Sequence, residues 1–300
     1  MSNIWADADN RLKKLLLIPT KDCLTTTDSE TLAMIESVSY DLLCEKGYIR
    51  FEIGPIDAFE AQDCYICVEK EKKKNIFGED SNDLNFTVIC KNEIADMDDY
   101  RTRHIEICSA LNEMLNGKEI TGVGNTYFMM CKPNAISDYY SSCTIWFNDN
   151  NFTYTQTGGV NVLGKYATDN AAIVHTLLAD SAFKEAMELV EKSETTSYAE
   201  GYFKMHESFT QNLNKGYRAW VLIDWDFSHS ISVNVVPVCR VDARKMSNGN
   251  DRLAVIVERI KIALNGLSMA IGGELELAEA YCQNEIKLSD ELVAGMIMFQ

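Results

Sequence analysis

The chain has 300 residues, 46% of them hydrophobic, and 45 acids against 28 Lys and Arg give a formal charge of −17. That length suits two domains of about 150 residues with apolar cores of their own. The charge excludes nucleic acid and anionic lipid as natural partners and favours basic proteins and cations.

In chain order, residues 1–25 form an N-terminal segment whose stretch 5–18 is amphipathic. A first α+β unit is expected over 26–157. It opens with a helix over 29–46, where Leu32, Ile35, Val38 and Leu42 recur at helical spacing, Asp28 supplies an N-cap and Gly47 a stop. A hairpin turns over near Lys70–Lys74, and a second helix over 100–116 ends at Gly117. Strands over 126–131 and 143–157 close the unit. Residues 158–176, rich in Gly and polar side chains, predict a linker. A second unit follows over 177–300, with helices over 182–190 and 198–213. In its hairpin Val221, Ile223, Trp225 and Phe227 alternate with Leu222, Asp224 and Asp226, and a turn at 228–230 leads into Ile231, Val233 and Val235. A helix over 251–265 stops at Gly266, and a strand is expected over 274–282.

The two units are related. Val88-Ile89-Cys90-Lys91 matches Pro237-Val238-Cys239-Arg240, and Leu115-Asn116-Gly117 matches Leu264-Asn265-Gly266, both at an offset of 149. Met97 and Met246, Arg103 and Arg252, Ile107 and Ile256, Leu111 and Ile260, and Gly124 and Gly273 fall at the same offset. Lys46-Gly47-Tyr48 echoes Lys215-Gly216-Tyr217 at 169, which places about 20 extra residues in the first copy, within 55–83. The fold class is therefore α+β: two pseudo-repeats, each an antiparallel sheet packed against helices. This helix–hairpin–helix–strand order resembles the type III secretion chaperone family, a likeness that implies a protein-binding module.

Enzymatic motifs are sparse. Gly159–Lys165 satisfies GxxxxGK, yet Tyr166 stands where a phosphate loop needs a short hydroxyl to reach magnesium. Asp224 and Asp226 share one strand face and could hold a divalent ion for phosphoryl transfer. Glu274 and Glu276, opposite Leu275 and Leu277, repeat that pattern. At 149 positions earlier Asp224, Glu274 and Glu276 meet Asn75, Asn125 and Tyr127, so the candidate chemistry is not duplicated at that offset. Cys64-Tyr65-Ile66-Cys67 is a lone CxxC on a strand, with its thiols on opposite faces and no second pair for zinc. Ten cysteines are too dilute for a disulfide scaffold, and several lie in apolar runs as small hydrophobes. A reducing cytoplasm is expected. The N-terminus lacks the pattern of a secretion signal, and no run approaches the roughly 20 apolar residues of a membrane span.

Acidic clusters remain. Asp57, Glu60 and Asp63 belong to a run of ten acids over 22–63, and Glu93, Asp96, Asp98 and Asp99 precede a helix. With Asp224, Asp226, Glu274, Glu276 and Glu279 they form the candidate protein-binding residues. The acidity, the length and the scarcity of proline resemble the acidic host-takeover proteins of large bacteriophages, among them giant-phage inhibitors of the RNA degradosome. That likeness implies a partner with a basic, RNA-binding surface, such as a ribonuclease. The expected function is thus a non-enzymatic acidic binding protein, without cofactor, that occupies nucleic-acid-binding surfaces and inhibits their owner. The alternatives are a secretion-chaperone-like module and a metal- or nucleotide-dependent phosphoryl-transfer enzyme. The apolar stretches 5–18 and 292–299 could support a homodimer or dock on their own cores.

Overall fold

A computed structural model describes residues 10–51, 62–74, 80–97, 101–120, 123–135, 139–149, 162–189, 202–204, 217–226 and 231–300. The chain divides into two units, 1–164 and 165–300. Residues 151–164 carry no charge, so each unit keeps the balance of its half: 26 acids to 15 bases in the first, 19 to 13 in the second.

The first unit runs α1 (Asn10–Leu17), α2 (Ser29–Ser37), α3 (Tyr40–Glu45), β1 (Ile49–Arg50), β2 (Cys64–Lys74), β3 (Asp80–Lys91), α4 (Asn92–Ala95), α5 (Arg103–Leu115), β4 (Lys118–Ile120), β5 (Gly124–Ala135) and β6 (Tyr140–Asn148). The second runs α6 (Tyr166–Ala179), α7 (Ser181–Met187), β7 (Phe203–Lys204), β8 (Ala219–Asp226), β9 (Ser232–Arg240), α8 (Arg252–Leu264), β10 (Gln283–Lys287) and β11 (Leu292–Phe299). Strand order is β1-β2-β3-β6-β5-β4 in one sheet and β7-β8-β9-β11-β10 in the other. Strand for strand these are the same sheet, with β4 reduced in the second copy to the bridge Ser268↔Glu274. All pairings are antiparallel except the short edges β1–β2 and β7–β8.

Hydrogen bonds repeat with the sequence. Gly117 donates to the Thr126 carbonyl and Gly266 to that of Leu275. The Asn116 side chain accepts from the Phe128 N–H, and Asn265 accepts from Leu277. Both glycines are left-handed, at φ +74° and +84°, where a side chain would be strained. One face of each sheet is closed by the second long helix. Ile107, Leu111 and Leu115 of α5, and Ile256, Ile260 and Leu264 of α8, are all buried, the same three positions in each copy.

Arg103 and Arg252 open these helices and are fully buried. Arg103 donates to the carbonyls of Ile94, Leu15, Ile18 and Thr20, at 2.7–3.0 Å. Arg252 donates to Ala243, the counterpart of Ile94, to Ala186 at the end of α7, and to the Glu188 carboxylate. Each guanidinium thus holds the C-terminal end of a neighbouring helix (α1 or α7) against its own, where spare carbonyls and the negative end of the dipole favour a cation.

Several expectations are corrected. The helix foreseen over 29–46 is two helices, because Val38 is extended and Ser39 caps a new start by accepting from Leu42. The N-terminal stretch packs into its own unit through buried Leu12, Leu15 and Leu16 of α1, and 292–299 is the interior strand β11. Most of the 158–176 linker stretch is occupied by the turn Val162–Gly164 and by α6. The strand foreseen over 274–282 is two bridges, at Glu274 and Leu277, and a turn at Glu279–Tyr281; the strand lies further on, in β10. Most of the helix foreseen over 198–213 falls outside the described residues; within it, Phe203–Lys204 is the edge strand β7.

The Lys-Gly-Tyr match at 169 is not a structural one. Cys64 pairs with Cys90 and Ala219 with Cys239, so the first hairpin arm is offset by 155 and the second by 149. The first copy's hairpin is therefore six residues longer, not about 20. Tyr48 leads into β1, whereas Tyr217 leads into β8.

Candidate functional site

The corrected register changes which residues are counterparts. Asp224 pairs across the hairpin with Asn234, and Glu69 with Asn85. Asp226 pairs with Ser232, and Glu71 with Asp83. Asp224 and Asp226 therefore correspond to Glu69 and Glu71. The acids are duplicated after all, because the offset of 149 does not hold on this arm. All four lie on the outer sheet face, away from α5 and α8, since strand alternation sends Val221, Ile223 and Trp225 to the helices. The Trp225 indole N–H donates to Asn170 of α6 at 2.7 Å, which fixes that direction.

Each outer face has an apolar end and an acidic end. In the first unit Tyr65, Cys67 and Ile89 cluster with Tyr140; in the second, Trp220, Val238 and Ala294 cluster with Tyr217, Val236 and Leu292. Tyr65 and Trp220 occupy the same register position. The wet face expected beneath Asp224 is thus only the distal half of that face. At the acidic end Asp224, Asp226 and Glu69 are half-exposed and Glu71 exposed. The carboxamide oxygens of Asn85 and Asn234 are buried there without a hydrogen-bond partner among the described residues. An unpaired buried acceptor costs about 1–3 kcal/mol, and this cost recurs at the same place in both copies.

Glu276 exchanges two 3.0 Å backbone hydrogen bonds with Gln300, whose neighbour Phe299 pairs with Val233. That register puts Glu276 on the outer face, in the row of Ser232 and Asp226. Glu274 faces Ser268 in the turn after α8, and Glu279 begins the turn ahead of β10. All three glutamates are exposed and have no ion-pair partner among the described residues. Asp63 pairs with Lys91 at 2.7 Å; Glu93 is exposed on α4, and Asp96 bridges Thr102. Asp57, Glu60, Asp98 and Asp99 lie outside the described residues.

Most of the second unit's arginines are consumed locally. Arg240 holds Asp242, Arg244 holds Asp251 and Glu285, and Arg259 holds Asp180. These partners keep the Asp180, Asp242 and Glu285 carboxyls below the usual carboxylate range. Glu274, Glu276 and Glu279 stand outside this network.

The remaining motifs resolve differently. Tyr166, at the hydroxyl position of the GxxxxGK stretch, is completely buried and cannot serve a phosphate. Cys64 and Cys67 face opposite ways, Cys64 beside Cys90 and Cys67 in the outer apolar cluster. Burial pushes the Cys67 thiol up to about 11, the reverse of a redox-active CxxC. A thiol group that no spacing revealed lies beneath α5. Cys108, Cys131 and Cys143 bring their sulfurs within 4.8 Å of one another. They come from a helix and two strands, separated by 23 and 12 positions, so only the tertiary fold unites them.

Among the described residues this is the one group of three or more His, Cys, Asp or Glu side chains so assembled, and Asp224 and Asp226 gather no third ligand there. No described helix is long and apolar enough to cross a membrane.

Residues 9–148 match the YomW family model. This is a phage-associated family, and the matched span runs from α1 to the end of β6, the first copy alone. No curated protein and no solved structure matches the chain.

Proposed function

We propose that this protein is a non-enzymatic acidic binding protein of phage origin. It lays carboxylates on the basic, RNA-binding surface of a host enzyme, a ribonuclease being the fitting class, and inhibits that enzyme in the host cytoplasm. The observation that carries this reading is the pair of acids kept on the outer sheet face of both copies, Glu69 with Glu71 and Asp224 with Asp226. The acid-bearing ends are half-exposed or exposed in both hairpins. Glu274, Glu276 and Glu279 extend the negative surface of the second unit. Two related acidic faces on one chain suit a partner whose basic groove is long, since a second contact gains from the first. Opposite charge would speed association and set specificity more than it raises affinity.

Self-association has no part in this reading, because the two apolar segments that suggested it are used inside their own units. The test is enzymatic. Added in stoichiometric amount, the protein should displace RNA from the host's basic ribonuclease and lower its activity, and moderate salt should restore both. Unchanged RNA binding and activity across host ribonucleases at low salt would refute the proposal.

A further inference from the structure

The thiol group under α5 is not demanded by the fold. At the positions of Cys108 and Cys143 the second copy carries Val257 and Gly295, and a Cβ added at Gly295 would stand 2.7 Å from a Val257 methyl. Valine against glycine thus closes the same helix–sheet seam that holds two thiols in the first copy. Cys131 joins them at 3.0 Å from the Cys143 sulfur. The strand register pairs Cys131 with Ile145 and Pro133 with Cys143, so the two cysteines are diagonal neighbours. Diagonal positions lie roughly 7–8 Å apart at Cα, beyond the usual span of a disulfide. Close sulfurs that are poorly placed to bond to each other are well placed to share an ion.

We propose that Cys108, Cys131 and Cys143 form a three-sulfur site for a soft metal ion, with Cu(I) the fitting one. Thiolate ligands select soft ions, and structural zinc needs four ligands where three converge here. The first unit also buries a cation. Arg103 is fully buried, donates to four carbonyls and lies beside the Cys23 thiol, with no carboxylate ion-pair partner among the described residues, whereas its counterpart Arg252 has Glu188. A copper–thiolate group carries net negative charge, and the same unit holds Arg103 as a buried cation. Binding would release to solvent one proton for each thiol that ligates as thiolate, with no change in copper oxidation state. The YomW-matched span contains all three cysteines.

The experiment uses the full chain, reduced and anaerobic, challenged with Cu(I) held by a chromophoric chelator. The folded protein should withdraw one Cu(I) per chain, and X-ray absorption should show sulfur-only coordination. Cys108→Val with Cys143→Gly installs the second copy's own packing and should abolish the withdrawal while circular dichroism stays native. Cys67→Ala, on the opposite sheet face, should leave it intact. Withdrawal undiminished in the Val/Gly variant, or copper taken up only after unfolding, would overturn the proposal. If the Val/Gly variant fails to fold, Cys131→Ala decides by the same readout.

Discussion

Arg103 makes four hydrogen bonds to backbone carbonyls from a fully buried position, so its loss strands several acceptors at once. Arg103→Met should destabilise the first unit by on the order of 3 kcal/mol in urea unfolding. Arg103→Lys should not rescue it, because an ammonium lacks the planar fork that reaches four carbonyls. Equal stability of the Lys variant would contradict this assignment. Asp180 gives a pH signature in the second unit. Arg259 and the α7 N-terminal amides hold its folded pKa below the unfolded value. Its contribution is therefore complete above the unfolded value of about 3.9 and is lost as pH falls through the lower folded one. Asp180→Asn keeps an N-cap acceptor yet should flatten the fall in melting temperature below about pH 4. An unchanged acid limb would show that Asp180 plays no part in it.

The helix stops are the elements most legible in the sequence. Leu-Asn-Gly at an offset of 149 marks both ends, because a left-handed residue after a helix calls for glycine; the role of the preceding Asn as acceptor for the next segment has no such signal. In the structure both glycines are left-handed, and Asn116 and Asn265 each accept from the segment that follows. No atom lies within 4 Å of a Cβ placed at Gly266, so Gly266→Ala strains only the backbone and should cost about 1–2 kcal/mol by thermal melt. Less legible was anything that depends on pairing. A tripeptide match at 169 joins a β1 lead-in to a β8 lead-in, and the offset of 149 gives the acids of β8 the wrong partners, because their arm is offset by 155. Sequence alternation gives the face of a strand but not its register, which long-range pairing sets. The apolar end of the outer face is hidden for the same reason: Trp220 joins a cluster only when β9 and β11 bring Val238 and Ala294 beside it. The three-thiol group, drawn from α5, β5 and β6, left no local signal at all.

At the scale of the molecule, one unit was used twice and then diverged. The strand order, the buried arginine, the helix stops and the outer-face acids were kept. The thiol group and the long hairpin belong to the first copy, and the exposed Glu276–Glu279 run to the second. Because each sheet is closed by helices of its own unit, residues 165–300 expressed alone should unfold in a single cooperative transition; a non-cooperative melt would show that the second copy depends on the first. The functional claim rests on charge, and charge has a signature that packing lacks, since screening acts within about 10 Å at 0.1 M salt. The most direct measurement is the Kd for the host ribonuclease over rising salt, for the native chain and for Asp224→Asn with Asp226→Asn and Glu276→Gln. The native Kd should weaken steeply with salt, and the variant should bind more weakly at low salt with a shallower slope. A Kd indifferent to salt and identical in the variant would contradict the claim that these carboxylates make the contact.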